Sequence, residues 1–317
     1  MEQTLPTAAK LFIVRRGRYI WNHIKGWVYL IPIIGLLMIF TFWPIINSLI
    51  SAFKNDYDTL ENSFNGWGIE NFKFVLSYPK FQYCLVNTLV FGLISVPIST
   101  ILALLISVGL NSIKWLQKAF QTIFFLPYLT NALAVGAVFA SLFAVVGISG
   151  TGEEATSWGL VNSLFGTKID WIYASKENIW FNRFVVIVYE VWAGLPFKIL
   201  IIFGALQNVN KQYYDAAKID CASKPTTLLR ITVPLISPML SYLIITGFIG
   251  GFKAYTAVVG IFGKIEGSYI NTMVGYIYDC IGTGKTGLAA AGSLILFAII
   301  LVFTLINLYV SKKRVHY

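Results

Sequence analysis

Six long apolar stretches dominate this chain, and they constrain its fold more than any other feature. They cover about residues 27–50, 84–108, 120–146, 184–206, 236–262 and 288–310. Each is long enough to cross a bilayer as a helix, which needs about 20 largely apolar residues. We therefore predict an all-α membrane protein with six transmembrane helices.

Composition excludes the soluble classes of protein. Hydrophobic residues make up 57% of the chain and charged residues 12%, where ordinary globular domains have about 25% charged residues. The three cysteines and two histidines are widely separated, so we expect neither a disulfide framework nor a metal site. The sequence also lacks a GxxxxGK[ST] phosphate loop and any catalytic constellation, which argues against an enzyme.

The first apolar stretch is predicted to be a retained helix rather than a cleaved signal peptide. Its apolar run is about 24 residues long, whereas the apolar region of a signal peptide has about 7–15, and no A-x-A site follows it. The domain plan that results has a basic N-terminus at 1–26, a first span at 27–50 and an outer loop at 51–83. A core of spans two to six follows at 84–310, and a short tail at 311–317.

Charge predicts the orientation of these spans. The N-terminus, the loops after spans two and four, and the tail together carry 14 lysines and arginines and three acids. The alternate loops carry eight basic and ten acidic residues. The positive-inside rule therefore places both termini in the cytoplasm of a bacterial cell membrane. The net charge of +10 suits contact with anionic membrane lipid and requires no nucleic acid partner.

The loop between spans four and five, residues 207–238, is the most informative segment. Lys211 to Ala222 can form about three helical turns, and Pro225 fits the first turn of a second helix. We expect Pro234 and Pro238 to end that helix. Helical spacing brings small, aromatic and acidic side chains to one side, namely Tyr213, Ala216, Ala217 and Asp220. Such a face suits insertion into the groove of a partner, and the alternative is that it folds back on its own bundle.

The residues of this elbow resemble the EAA motif of permease subunits of ATP-binding-cassette importers. The matching positions are Asp215-Ala216-Ala217, Asp220, Ala222, Ile231, Pro234 and Pro238. Two positions depart from the motif, since Asp215 stands for the usual Glu and Cys221 for the usual Gly. The stretches GWGIENFKFVL, FFLPYLTNALAVG and GGFKAYTAVVGIF are similar to the larger permease of carbohydrate importers of the maltose and glycerol-3-phosphate type.

The resemblance implies a type I importer permease fold in which the elbow forms coupling helices that enter a cleft of a cytoplasmic ATPase. The coupling residues it implies are Tyr214, Asp215, Ala216, Ala217, Asp220, Cys221, Ala222 and Arg230. It also implies four kinds of partner: a second, homologous permease, two cytoplasmic ATP-binding subunits, an external solute-binding protein and membrane lipid. ATP and Mg would bind to the partner ATPase, and this chain would hold no cofactor.

The resemblance further implies a substrate pathway along spans four and five. Its positions here are Gly194, Phe197, Gly247, Gly250, Gly251 and Ala254, and Lys253 would leave room for an acidic saccharide. The alternative for the glycines is close helix packing. Glu190 and Lys198 lie within span four about 12 Å apart along the helix, so we do not expect them to pair. For Lys198 we favour snorkelling or a hydrogen bond between helices.

These expectations combine into an importer permease for carbohydrates, and for oligosaccharides in particular, that works by alternating access. Two alternatives remain open. A permease for another solute would carry the same elbow. An autonomous carrier or channel would need a self-contained polar pathway, for which the spans offer few polar residues.

Overall fold

The computed structural model describes residues 25–314 except 28, 60, 62, 114–116, 147–156, 174–175 and 264. The predicted basic N-terminus up to residue 24, the end of the tail from 315 and part of the loop that starts at Gly147 lie outside this range. Helix dominates the described residues. Two short strands, β1 (Val145–Val146) and β2 (Ser157–Trp158), pair antiparallel with Val145 opposite Trp158.

The helices are numbered here in chain order. They are α1 Tyr29–Ala52, α2 Glu70–Ser77, α3 Pro79–Ser112, α4 Gln117–Phe125, α5 Ala132–Phe143, α6 Leu160–Phe165, α7 Ile179–Gln207, α8 Lys211–Ile219, α9 Lys224–Leu235, α10 Ser237–Gly251, α11 Thr256–Phe262, α12 Met273–Gly282 and α13 Thr286–Arg314. Short π-helical turns interrupt α1 at Met38–Phe42 and α9 at Leu228–Thr232.

Four of these helices, α1, α3, α7 and α13, are long and apolar enough to cross a membrane without a break. Two bent pairs, one formed by the chain from Gln121 to Phe143 and one by α9 with α10, bring the number of crossings to as many as six if each pair counts as one. The prediction of a helical membrane protein is confirmed. The count of six spans stays a prediction, because the third and fifth predicted spans are each interrupted.

The third predicted span, 120–146, is divided by a bend of 100°. A 3-10 turn at Leu126–Leu129, with Pro127 near its start, ends the first half. Asn131 then begins a new helix, because its side chain accepts hydrogen bonds from the backbone nitrogens of Leu133 (2.9 Å) and Ala134 (3.3 Å). A helix cap of this kind fixes a helix start. Hydropathy alone therefore did not detect this interruption.

The fifth predicted span, 236–262, is also interrupted. Helix α10 bends 73° away from α9 and ends at Gly251, and α11 begins only at Thr256. The side chain of Phe252 is fully buried at this break. Lys253, which we placed within the span, lies instead in the break and is exposed. Two adjacent glycines weaken the helix here, since glycine disfavours helix by about 1 kcal/mol relative to alanine.

The central helix is α3, which packs along α7 and also touches α10 and α12. Its residues contribute to three apolar clusters, centred on Phe81 and Met273, on Phe91 and Val185, and on Ala103 and Ile202. Helix α1 is peripheral: it contacts α13, and none of its residues before Ser51 is buried. The core therefore lies mainly in the segments from α3 onward, and Ala52 at the end of α1 and Val75 on α2 pack into it at one end.

The first outer loop contains helix α2. Val75 is fully buried, and the amide of Asn71 donates to the carbonyl oxygens of Ala52 (3.0 Å) and Lys54 (2.7 Å). Phe74 points outward with 53% of its surface exposed. Helix α2 is thus held against the bundle and presents one aromatic side chain away from it.

Candidate functional site: the elbow and the helices that lead to it

The first elbow helix, α8, ends in a tight turn built from the EAA-like residues. Its start is capped by Asn210, whose side-chain oxygen accepts from the backbone nitrogen of Gln212 (3.0 Å). At its end, the nitrogen of Cys221 donates to Lys218 O (3.1 Å) and that of Ala222 to Ala217 O (2.9 Å). This pair of bonds is the Schellman motif, which requires a left-handed residue at the position of Cys221. Cys221 has a φ of 53°.

The second elbow helix, α9, begins as predicted. Ser223 caps it by accepting from Thr226 N (3.4 Å), and Pro225 lies in its first turn. The hydroxyl of Thr232 lies 3.3 Å from that of Tyr214 and joins the two elbow helices. The helix ends at Leu235, one residue after Pro234, and Pro238 lies in the first turn of α10, so the two prolines flank the predicted helix end. Proline is tolerated there because a π turn precedes it and already alters the regular backbone bonding.

The predicted coupling residues differ in their exposure. Ala217 is buried against the bundle, and Tyr214 and Ala222 are half-buried. The remaining predicted positions are exposed: Asp215, Ala216, Asp220, Cys221 and Arg230. Asp215 forms an exposed ion pair with Lys218 (2.8 Å). The face proposed from helical spacing is therefore split, with Ala217 packed inward and the acidic and small residues outward.

Two exposed apolar side chains at the elbow were not predicted. Ile219 is 83% exposed at the end of α8, and Leu229 is 66% exposed on α9. The signal present in the sequence was the isoleucine placed directly before Asp220, in a segment otherwise rich in lysine and aspartate.

A groove of about 370 Å³ lies between the end of α7 and the elbow. Tyr213, Val209 and Met239 line it, and Tyr213 is 52% exposed. The aromatic residue that helical spacing placed on the contact face thus borders a recess between the elbow and the membrane helices.

The predicted pathway residues of α7 meet an aromatic partner that the sequence did not indicate. The ring of Tyr128, in the turn that divides the third span, stacks on Phe197 at 6.0 Å between centroids. The ring centroid of Phe125 also lies 5.3 Å from that of Tyr128. Gly194, one turn from Phe197, has ordinary contact with Ser99. The bend in the third span brings Tyr128 to this place.

The glycines of α10 divide into two kinds. A Cβ atom on Gly247 would lie 2.8 Å from Val96, and one on Gly251 would lie 3.0 Å from the Cα of Gly92. Both glycines therefore allow α10 to pack closely against α3, as the alternative reading of these residues supposed. Gly250 is exposed, and a Cβ there would meet no atom within 4 Å. Ala254 is buried in an apolar cluster.

Lys198 lies between three helices. Its ammonium donates to the hydroxyl of Ser99 and to the carbonyl oxygen of Val96 (3.2 Å) on α3, and the missing side chain of Gly247 on α10 leaves it room. The expected hydrogen bond between helices is confirmed. Glu190 is half-buried and forms no ion pair with Lys198 or with any other described residue.

Within the described part of the chain, no group of three or more His, Cys, Asp or Glu residues could hold a metal ion.

Comparison with known proteins decides the family. Residues 95–316 match the profile of the binding-protein-dependent transport system inner membrane component. The chain belongs to this family. It is a multi-pass membrane protein and a transport component.

Individual relatives agree with this assignment. The chain is 29% identical to the arabinooligosaccharides transport system permease protein AraP of Bacillus subtilis, over 90% of this chain and 88% of that protein. It is 28% identical to a probable ABC transporter permease protein of Mycoplasma genitalium, over 87% and 82% of the two chains. A solved bacterial ABC transporter involved in the import of the acidic polysaccharide alginate has the same fold, with a TM-score of 0.75 at 20% identity over 93% of this chain and 99% of that one.

Proposed function

We propose that this chain is a permease subunit of an ATP-driven, binding-protein-dependent importer for carbohydrates, specifically oligosaccharides. Relatives named for arabinooligosaccharide, lactose and trehalose/maltose transport support the substrate class. The chain supplies a pathway through the membrane and an elbow that transmits the movement of the ATPases to it. It carries out no covalent chemistry. ATP and Mg bind to a partner subunit.

The observation that carries the proposal is the capped, exposed elbow at the end of α7. Its turn is fixed by the two backbone bonds at Cys221 and Ala222, and its tip exposes Asp220 and Ile219. A rigid element with an apolar tip transmits force better than a mobile loop. Closure of two cytoplasmic ATPases would push the residues from Asp215 to Arg230 and rotate the spans, which opens the pathway outward.

The proposed assembly contains a second, homologous permease and an external solute-binding protein. The chain's basic termini and the elbow face the cytoplasm, and the loop at 51–83 faces outward. In that arrangement the core at 84–310 encloses half of the pathway, and the first span at 27–50 flanks it.

The proposed pathway passes the surface formed by Tyr128, Phe197, Gly194 and Gly250. Aromatic rings suit the apolar faces of sugar rings, and the open side of Gly250 leaves space for them. Lys253 is exposed near the end of α10 and is compatible with an acidic saccharide. Gly247, Gly251 and Ala254 support the walls by packing.

Two alternatives are weaker. A permease for another solute would have the same elbow, and only substrate tests separate it. An autonomous carrier would need polar groups free to bind solute, but Lys198 is engaged within the bundle. Transport that persists without any ATPase would favour that alternative.

The deciding experiment is purification from native membranes in mild detergent, followed by mass spectrometry of the associated proteins and by ATPase assays. We expect an ATPase and a second permease to copurify, and oligosaccharide with its binding protein to stimulate ATP hydrolysis. Asp220→Arg should abolish ATPase recovery. Glu177→Arg, an equal charge reversal at an exposed residue outside the elbow, should not. Recovery of the chain alone, still transporting without ATP, would overturn the proposal.

A further inference from the structure

Glu190 is an acidic side chain deep within a spanning helix. It follows the first residue of α7, Ile179, by 11 positions and precedes the last, Gln207, by 17. It therefore lies roughly 16 Å and 25 Å along the axis from the two ends of the helix. A charged side chain at such a depth avoids lipid and faces either a partner group or a water-filled space.

Glu190 has no bonded partner in the described part of the chain. The two ion pairs found there belong to other acids, and Glu190 forms no hydrogen bond with a described residue. The enclosed side-chain atoms that lack a partner in this part of the chain belong to Asn55, Ser95 and Asn182. The carboxylate of Glu190 is thus not enclosed, and it opens onto the space beside α7.

The side of α7 that carries Glu190 is the side of the proposed pathway. Glu190, Gly194 and Phe197 are spaced i, i+4 and i+7, which brings them to one side of a helix. All three are half-buried, whereas Ile199 on another side of α7 is buried. The ring of Tyr128 stacks on Phe197 at this side, at 6.0 Å between centroids. Glu190 therefore borders the same space as this aromatic pair.

Glu190 also lies at about the depth of Gly250, whose open side the proposed pathway passes. Gly194 contacts Ser99 on α3, so Glu190, one turn nearer to the start of α7, is level with the preceding turn of α3. That turn includes Val96, which packs against α10 three residues before Gly250. Glu190 and Gly250 are therefore within about one helical turn of each other in depth.

The basic residues nearest to this stretch do not pair with Glu190. Lys198 is buried and donates to acceptors on α3, so its charge is held away from the open space. Arg183 is buried near the start of α7, where its Nε donates to the amide oxygen of Asn87 (2.8 Å). Lys253 is exposed, but it lies beyond the end of α10. A solute that passes Gly250 therefore meets Glu190 as the accessible charge among the described residues.

The chemistry of this group determines which solute it favours. An ionised carboxylate only accepts hydrogen bonds, so it binds hydroxyl groups, and it repels a second carboxylate strongly where little water screens the charges. We propose that Glu190 is a specificity-determining residue of the pathway that accepts from the hydroxyls of an uncharged saccharide and disfavours an acidic one. Lys253 would attract an acidic saccharide at the end of α10, but Glu190 opposes its passage. This inference rests on the proposed function, because it requires a saccharide in the pathway.

The first test measures whether a saccharide reaches Glu190. A hydrophobic carbodiimide, which modifies accessible carboxyl groups, is added to the purified importer without its binding protein, and peptide mass spectrometry follows the rate. We expect modification of Glu190, and none at this position in Glu190→Gln. The neutral saccharide that best stimulates ATP hydrolysis, chosen among arabinotriose, maltotriose and lactose, should slow the reaction at least about threefold. The same saccharide with its primary hydroxyls oxidised to carboxylates should not protect at equal concentration.

The second test measures saccharide uptake into vesicles that contain the complete importer and its binding protein. Glu190→Leu should lower uptake of the neutral saccharide about tenfold, because it removes a hydrogen bond to a charged acceptor. Glu190→Gln keeps an acceptor and should retain uptake within about threefold. It should also raise uptake of the oxidised saccharide relative to the neutral one about tenfold. Glu177→Gln, the same change at an exposed residue outside the spans, is the matched control and should alter neither.

Several results would overturn the proposal. Equal protection by the neutral and oxidised saccharides, or protection by neither, would show that Glu190 does not select between them. Absence of modification in the assembled importer would show that a neighbouring subunit covers Glu190. Normal uptake of the neutral saccharide by Glu190→Leu would exclude a role in the pathway. Failure of the proposed function would look different, since no ATPase would copurify and no saccharide would stimulate ATP hydrolysis, whatever the reactivity of Glu190.

Discussion

Cys221 adopts a left-handed backbone conformation that residues with a side chain disfavour. Its φ of 53° lies in the left-handed region, which costs a residue with a side chain roughly 1–2 kcal/mol. The structure tolerates this because the two Schellman bonds and the buried Ala217 fix the end of α8. The usual glycine of the EAA motif is explained by the same geometry.

We expect Cys221→Gly to stabilise the elbow by about 1 kcal/mol or slightly less. The gain comes from relief of the left-handed strain, and the greater freedom of glycine in the unfolded chain reduces it. Hydrogen exchange of the amides of Cys221 and Ala222 in the purified complex measures the change. Cys221→Ala is the control, because it removes the thiol and keeps the strain. Equal protection in the alanine and glycine variants would contradict this explanation.

At the scale of elements, two neighbouring glycines in α10 give a matched test of helix packing. Gly251→Ala would push a Cβ to 3.0 Å from the Cα of Gly92 on α3, while Gly250→Ala meets open space. We expect the first to lower the free energy of unfolding by about 1–3 kcal/mol. The second should be neutral or slightly stabilising, because alanine favours helix. Thermal unfolding in detergent compares them, and equal midpoints would refute the packing role of Gly251.

Lys198 on α7 contacts Ser99 on α3, and we expect replacement of these two residues to lower the free energy of unfolding by different amounts. Removing Ser99 alone leaves a buried ammonium with one of its two acceptors, whereas Lys198→Met replaces the charge by an apolar side chain of similar length. We expect Ser99→Ala to destabilise by about 1–3 kcal/mol and Lys198→Met to cost less. Unfolding midpoints of both variants and of the double variant measure this. A larger loss for Lys198→Met would show that the charge itself is required.

At the scale of the whole molecule, the three cysteines provide a natural test of orientation. Cys221 is exposed at the elbow, and Cys84 and Cys280 are buried. Burial also raises the pKa of the Cys280 thiol, which leaves less of the reactive thiolate at neutral pH. A membrane-impermeant maleimide should therefore label this chain at one site.

We expect intact cells to show no labelling, and opened membranes to show labelling that Cys221→Ser removes. This result follows from a cytoplasmic elbow, as the distribution of lysines and arginines predicts. Cys280→Ser serves as the control and should label like the unaltered chain. Labelling of Cys221 from outside intact cells would reverse the proposed topology.

The sequence by itself determined the membrane class, the approximate position of the apolar segments, the two short helices after α7 and the family resemblance. These features depend on composition and on short-range spacing. Hydropathy locates apolar helices, and proline marks a helix start close to where it acts, as Pro225 does.

Only the tertiary structure decided how the apolar segments are used. The break at Leu126–Leu129 and the end of α10 at Gly251 lie within segments that hydropathy assigns to single spans, so hydropathy alone did not locate them. Contacts between distant segments show that Gly251 of α10 packs against α3 while Gly250 faces open space. They also place Tyr128 on Phe197 and supply the hydrogen-bond acceptors of Lys198. Each of these depends on which surfaces of different helices meet, and that is fixed by packing across the bundle rather than by local sequence.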